Sequence, residues 1–249
     1  TVTGCVVSSP EEAEALQVPP VGAGSTDIYI DAIRKAVKLI DDRPVFAGVI
    51  GPFSLTGRLV DVTEAMIYCY EEPEMMHTVL EKATAFLIDY IKAYKEAGAN
   101  GVVMAEPLAG LLSPDLAEEF SARYVKKINE AVQSDDFLVI YHNCGNTTIL
   151  TIDSILGTGS DAYHFGNAID MAEMMKHMPA GKIAMGNVDP AGVLRNGTPE
   201  TVKQTTKDIM GACCGYKNFV ISSGCDIPPA TPWENIDAFF EAVNEFYKK

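Results

Sequence analysis

The stretch Tyr141-His142-Asn143-Cys144-Gly145-Asn146 sets an imidazole and a thiol two residues apart, and Ser222-Ser223-Gly224-Cys225-Asp226 adds a second thiol much later in the chain. Both follow short apolar runs, 137–140 and 219–221, that read as buried strands ending in loops. Residues two apart in a strand face the same side, so His142 and Cys144 can reach one ion if the backbone stays extended there. Strands of one parallel sheet open at its carboxyl edge, where α/β folds place their chemistry, and Cys225 can join the pair at that edge. Neutral imidazole and thiolate are standard zinc ligands, and a catalytic zinc keeps three protein ligands plus one exchangeable position. The chain has no close CxxC knuckle of the kind structural zinc sites use, which favours a catalytic ion over a structural one. Spacing alone leaves another reading open: His142 as a hydrogen-bonded residue at a strand end, with both cysteines as small buried hydrophobes.

The donor set indicates what such an ion would do. Two thiolates put negative charge on the site and weaken it as a Lewis acid for making hydroxide. The same donors suit an incoming thiol, lowering its pKa and keeping its sulfur nucleophilic at neutral pH. The ligands therefore lean towards alkyl transfer to sulfur, whereas a hydrolase would more often use histidine and carboxylate. Among the remaining candidates, Glu106 follows the apolar run 102–105 and reads as a base, a fourth ligand, or a carboxylate capping a nearby loop. Asn187 and Asp189, at the end of another run, read as substrate contacts, although Asn-x-Asp-Pro is also good turn chemistry. His164 reads as a satisfied core histidine, His77 and His177 as surface residues, and Cys69, Cys213 and Cys214 as inert thiols. No Gly-rich phosphate loop, GxSxG elbow or basic-aromatic patch is present.

The elements that must position these residues alternate along the chain. Strands are expected at 45–50, 102–105, 137–141, 162–165, 182–185 and 219–222, with a further β-like run at 4–8. Helices are expected from Pro10, over 26–40, 62–70, 73–97, 114–132, 147–156 and 171–177, from Thr198-Pro199 to Cys213, and from Thr231-Pro232 onward. On the last helix Ile236, Phe239, Phe240, Val243 and Phe246 share the expected buried face. Gly51-Pro52-Phe53 reads as a tight turn at a strand end. Repeated βα units without a compositional break imply one α/β domain over 1–249 with a parallel sheet and right-handed crossovers. A closed TIM-type barrel needs eight strands, so about two are expected ahead of Thr1.

Composition narrows the function classes. With 249 residues, 47% of them apolar and 21% charged, the chain falls in the globular class and can bury a large core. No run resembles a signal peptide or a membrane span, so the expected location is cytoplasmic. A net charge of -15 argues against nucleic acid as a partner. Six cysteines in a chain this long do not make a disulfide framework. An incomplete barrel would expose strand edges, which points to a possible homo-oligomer.

Gly51-Pro52-Phe53, His142-x-Cys144, Gly186-Asn187-Val188-Asp189-Pro190, Gly224-Cys225-Asp226-Ile227-Pro228-Pro229 and Thr231-Pro232-x-Glu234-Asn235 occur here in the order of the uroporphyrinogen decarboxylase superfamily, which the chain resembles over nearly its whole length. The His-x-Cys pair and the later Cys resemble its zinc-dependent methylcobamide:coenzyme M methyltransferase branch. The resemblance implies a (β/α)8 barrel and zinc on His142, Cys144 and Cys225. It also implies transfer of a methyl group from a methylated corrinoid, carried by a corrinoid protein, to a zinc-bound thiol such as coenzyme M. Its alternatives are a metal-independent tetrapyrrole decarboxylase and a non-catalytic barrel that binds a corrinoid.

Overall fold

The computed structural model describes residues 4–248. Six strands, β1 (Phe46–Ile50), β2 (Gly101–Ala105), β3 (Leu138–Asn143), β4 (Ala162–Phe165), β5 (Ile183–Val188) and β6 (Phe219–Ser223), form one sheet in chain order. Helical segments separate successive strands, so the α/β reading holds, and each strand lies within a few residues of its expected place. The chain divides into two compact units. One takes the chain through Tyr141 together with Leu150–Asp161, and the other takes His142–Ile149 and the chain from Ala162 onward. The boundary falls inside β3, immediately before His142.

The first unit carries α1 (Pro10–Ala15), α2 (Thr26–Leu39), α3 (Pro52–Val60), α4 (Val62–Glu71), α5 (Pro73–Glu96), α6 (Pro114–Ala117), α7 (Arg123–Val132) and α8 (Ile152–Gly157). Ser9 accepts a hydrogen bond from Glu12 N–H and Pro10 occupies the first turn, so α1 starts where its capping sequence indicates. β1 and β2 pair in parallel from Phe46 with Gly101 to Ile50 with Ala105. The core gathers around α5, whose Met76, Val79 and Leu80 are fully buried with Phe53, Val60, Phe120 and Tyr124. Each such side chain contributes about 1.5–3 kcal/mol. Even this longest helix is not apolar enough to cross a membrane, and no other helix among the described residues is either.

Three expectations are corrected here. Residues 4–8 form no strand: Val6 and Val7 N–H both donate to the single carbonyl of Leu59 at the end of α3, while the Val7 side chain enters the core. Gly51-Pro52-Phe53 is not a free-standing turn but the start of α3, with Pro52 in its first turn. The helix expected over 114–132 is interrupted by a π-helical turn at Glu118–Ala122 between α6 and α7.

In the second unit β4, β5 and β6 pair in parallel, with His164 beside Met185 and Asn187 beside Ser222. Its helices are α9 (Met171–Met174), α10 (Pro199–Cys213) and α11 (Trp233–Tyr247), with a π-helical turn at Pro190–Arg195. Thr198 caps α10 by accepting from Thr201 N–H. Thr231 does not cap α11, because its hydroxyl turns back to the Pro228 carbonyl. The buried face of α11 also differs from the expected aromatic one. Asn235, Ala238 and Ala242 are buried, whereas Phe240 is 55% exposed. Ala238 lies among Val188, Leu194 and Val202, where a small side chain lets the backbones approach. Asn235 Nδ2 holds the helix start by donating to the carbonyls of Leu194 and Gly197, both at 2.9 Å. Across α10 and α11, Lys203 and Lys207 pair at 2.5 Å with Glu241 and Glu245.

Candidate metal centre

Extended backbone carries β3 to Asn143, so His142 projects from the last turns of the strand's ladder and Cys144 follows just beyond it. Two glycines make the room. A Cβ on Gly166 would stand 2.6 Å from both Cα and Cβ of Cys144, and one on Gly224 would stand 2.6 Å from the Asn167 nitrogen. Without side chains at these two positions, the segment after β4 can lie against Cys144 and against the residue that introduces Cys225. Gly166 N–H donates to the Asn143 carbonyl at 3.1 Å, and Gly224 N–H to the Val188 carbonyl at 2.7 Å, which fixes both approaches. The Asn143 carboxamide oxygen accepts from Gly145 N–H at 2.8 Å and pins the turn behind Cys144.

The three expected ligand residues come together. His Nε2 or Nδ1 of His142 and the sulfurs of Cys144 and Cys225 all lie within 4.8 Å of one another. His142 Nε2 is 3.5 Å from Cys225 Sγ. Two ligands at about 2.0–2.1 and 2.3 Å on one tetrahedral zinc lie roughly 3.5 Å apart, so this pair already has the separation of co-ligands. His142 Nδ1 lies 3.1 Å from the His164 carbonyl, an acceptor only. The ring proton therefore sits on Nδ1 and the Nε2 lone pair faces the thiols.

Burial weighs against charge on His142 and on Cys144. Burial holds the His142 pKa below its ordinary value, opposed by the His164 carbonyl and the Asp226 charge. Burial first, and the neighbouring Cys225 second, push the Cys144 thiol up. Two adjacent thiols resist becoming thiolates together, and a divalent cation between them removes that resistance. By contrast, burial pushes Cys69 to about 12 and Cys213 to about 11, and no other ligand-type side chain joins either of them in a metal-sized cluster among the described residues.

The other candidates use their polar groups on the chain itself. Asn187 is buried, and its Nδ2 donates to the carbonyls of Gly166 at 2.9 Å and Ile169 at 2.6 Å, so it holds the segment lying against Cys144. Asp189 Oδ1 accepts from Ala191 and Gly192 N–H and caps the π-helical turn that follows. Glu106, fully buried in the first unit, accepts from Phe53 N–H at 2.9 Å and Ser54 N–H at 2.6 Å, capping α3. Burial pushes its carboxyl up to about 7 against the pull of these donors. His164 is satisfied as expected, with Nε2 at 2.6 Å from the Ser223 carbonyl, and burial and the neighbouring His142 push its pKa down to about 4. His177 is exposed, whereas His77 is half-buried, with Nε2 at 3.1 Å from the exposed Glu119 carboxylate. Its ring stacks on Phe120 at 4.8 Å and bonds Tyr124 Oη at 2.7 Å, tying α5 to the π-helical turn and to α7.

A family model for uroporphyrinogen decarboxylase (URO-D) matches residues 2–246. The chain belongs to the uroporphyrinogen decarboxylase family. Among its relatives, the uroporphyrinogen decarboxylase of Coxiella burnetii is 30% identical over 252 residues, which cover 96% of this chain and 68% of that protein. The methylcobamide:CoM methyltransferase MtbA of Methanosarcina mazei is likewise 30% identical, over 87% of this chain and 64% of its own length. Among solved structures, a methyltransferase from Methanosarcina mazei superposes with a TM-score of 0.87 at 28% identity, covering 99% of this chain and 72% of the other. A B12-independent methionine synthase from Shewanella, at TM-score 0.65 and 14% identity, shares the fold. The family thus contains both decarboxylase and methyltransferase relatives at similar distance, and the discrimination has to come from the site.

Proposed function

We propose that this chain is a zinc-dependent methyltransferase that takes a methyl group from a methylated corrinoid, held by a corrinoid protein, and delivers it to a small thiol such as coenzyme M. The observation that carries the reading is the convergence of His142, Cys144 and Cys225, with His142 Nε2 aimed at the thiols. The donor set fits zinc: one neutral imidazole and two thiols, with no carboxylate in the cluster. Bound there, the ion would lower the pKa of an incoming thiol and keep its sulfur nucleophilic at neutral pH.

The protein's own residues would do the rest. His142 stays neutral because it is buried, and the His164 carbonyl holds its proton on Nδ1, so no deprotonation of the ring is needed for binding. Thiol ligands bind a metal as thiolates, so metal affinity would rise with pH. Gly166 and Gly224 let the two cysteine-bearing turns close on each other, and Asn187 keeps the Gly166 segment in place. The acid-rich surface, with a net charge of -15, would suit a partner with a basic docking face.

Metal analysis of the purified protein, combined with demethylation of methylcobalamin by added thiols, tests this reading. About one zinc per chain and thiol-dependent demethylation that disappears in Cys225→Ala are expected. Absence of zinc, or unchanged turnover in that variant, overturns it. A second reading, a tetrapyrrole decarboxylase, has support in the 30% identity to the Coxiella burnetii enzyme over 96% of the chain. It requires metal-independent release of carbon dioxide from uroporphyrinogen, and leaves the paired thiols without a task. Corrinoid binding without turnover by any thiol would instead mark a non-catalytic binding protein.

A further inference from the structure

His164 touches the end of β3, at His142, and the end of β6, just ahead of Cys225, while contributing no ligand itself. Its main-chain carbonyl takes the Nδ1 proton of His142, delivered by β3. Its ring lies against the His142 ring, with centroids 4.7 Å apart and planes inclined by 34°. The far nitrogen of that ring, Nε2, reaches past β5 to the end of β6. There it donates to the Ser223 carbonyl at 2.6 Å and lies 2.9 Å from Ser222 Oγ. A carbonyl only accepts, so the His164 proton is on Nε2. The Ser222 hydroxyl also donates to the Ser223 carbonyl, at 2.9 Å, closing a small network just ahead of Cys225.

This network matters because of where β6 lies. Among the described residues β6 ends the strand order and is held by ladder bonds to β5, while its half-buried end carries Cys225 into the cluster. The ladder to β5 runs to Ser223, and Gly224 N–H carries it one bond further to the Val188 carbonyl. The His164 ring adds a second hold on the same strand end, from β4.

We propose that His164 is a positioning residue for the metal centre: its ring braces the end of β6 against the His142 ring and so sets the distance between His142 Nε2 and Cys225 Sγ. The inference rests on the zinc reading. Partners behind a metal ligand are typically worth 10–100-fold in affinity, and His164 stands directly behind His142 and behind Cys225 through the end of β6. Its backbone carbonyl survives substitution, so the side chain's share should fall at the lower end of that range.

The test uses the full chain and three variants, H164A, H164Q and S222A. Zinc affinity is measured by competition with a chromophoric chelator, and cobalt(II) is added to the metal-free protein to read the ligand field from its absorption bands. Circular dichroism melts of the metal-free forms report folding. H164A should bind zinc roughly tenfold more weakly and shift the cobalt bands, with its melt close to that of the parent. The Gln amide can place an N–H where Nε2–H stands, so H164Q should recover most of the affinity and the parent spectrum. S222A, which removes one hydroxyl, should weaken binding by about two- to threefold, a smaller share of the same support. Parent-like affinity and cobalt bands in H164A overturn the proposal. If H164A does not fold, S222A decides alone: weaker binding with displaced bands supports the brace, and parent-like values overturn it. A parent protein that takes up neither metal overturns the zinc reading itself, an outcome distinct from a parent that binds and an H164A that binds equally well.

Discussion

Glu106 and His142 occupy similar places: each stands at the carboxyl end of a parallel strand, each is buried, and burial moves each pKa towards the uncharged form. Their surroundings treat them in opposite ways. Glu106 receives two backbone N–H groups of α3, and a Cβ on Gly51 would stand 2.4 Å from its Oε2, so the carboxylate is enclosed by the chain it caps. His142 uses one nitrogen on a carbonyl and leaves the other facing two sulfurs. Position at a strand end and a perturbed pKa therefore do not separate a functional group from a structural one. What separates them is whether the chain has already used the atom that would do chemistry.

Each half of that comparison can be broken by experiment. The largest effect is expected at the cluster. Cys225→Ala would remove a proposed ligand rather than a supporting contact, and should weaken zinc by more than about 100-fold, measured by chelator competition, without altering the thermal melt of the metal-free protein by more than about 1 kcal/mol. Glu106→Ala should do the reverse. It strands two buried N–H groups and should cost about 2–5 kcal/mol in urea unfolding, while zinc stoichiometry stays that of the parent. If Glu106→Ala left stability alone but abolished turnover, its assignment as a helix cap would be wrong.

The Glu106 carboxyl also fixes a pH signature. Its folded pKa of about 7 lies above the ordinary 4.5, so the folded state holds the proton more tightly than the unfolded one. The stability it contributes is complete below about pH 4.5 and disappears as pH rises through 7, a change on the order of 1–3 kcal/mol. Unfolding free energies measured between pH 4.5 and 8 should decline more steeply for the parent than for Glu106→Gln, and parallel curves would contradict this. A smaller effect is expected at the glycine behind the cluster. Gly166→Ala pushes a methyl into Cys144 and should cost about 1–3 kcal/mol, with zinc affinity falling while the Glu106 signature persists. Smallest of all, Lys207→Ala removes an exposed pair with Glu245 and should change stability by less than about 1 kcal/mol and zinc binding not at all.

How much of this could be read from residues alone follows from the range of the interactions. The strands were legible because buried parallel strands are short apolar runs bounded by turns, and the convergence of His142, Cys144 and Cys225 because each stands at the end of such a run or just beyond it. α3 was not, since the carboxylate that caps it comes from Glu106, in a different part of the chain. Large apolar residues dominated the reading of α11, whereas the helix packs through Ala238 and Ala242; periodicity ranks side chains by size and carries no information on how closely a neighbouring helix approaches. The same limit hides Gly166 and Gly224, whose importance lies in what a missing side chain lets through. His164 was legible as a satisfied histidine, but not as one whose carbonyl meets His142 on β3 while its ring meets the end of β6.

The displaced face of α11 has a consequence for how this protein is observed. Its one tryptophan, Trp233, begins that helix and is 76% exposed. Its emission should already lie near that of indole in water when the chain is native, so intrinsic tryptophan fluorescence would register little on unfolding. The fully buried Tyr124, Tyr141 and Tyr163 are the chromophores whose surroundings change when the core opens. Near-ultraviolet circular dichroism of tyrosine is accordingly the signal by which loss of the native packing can be followed.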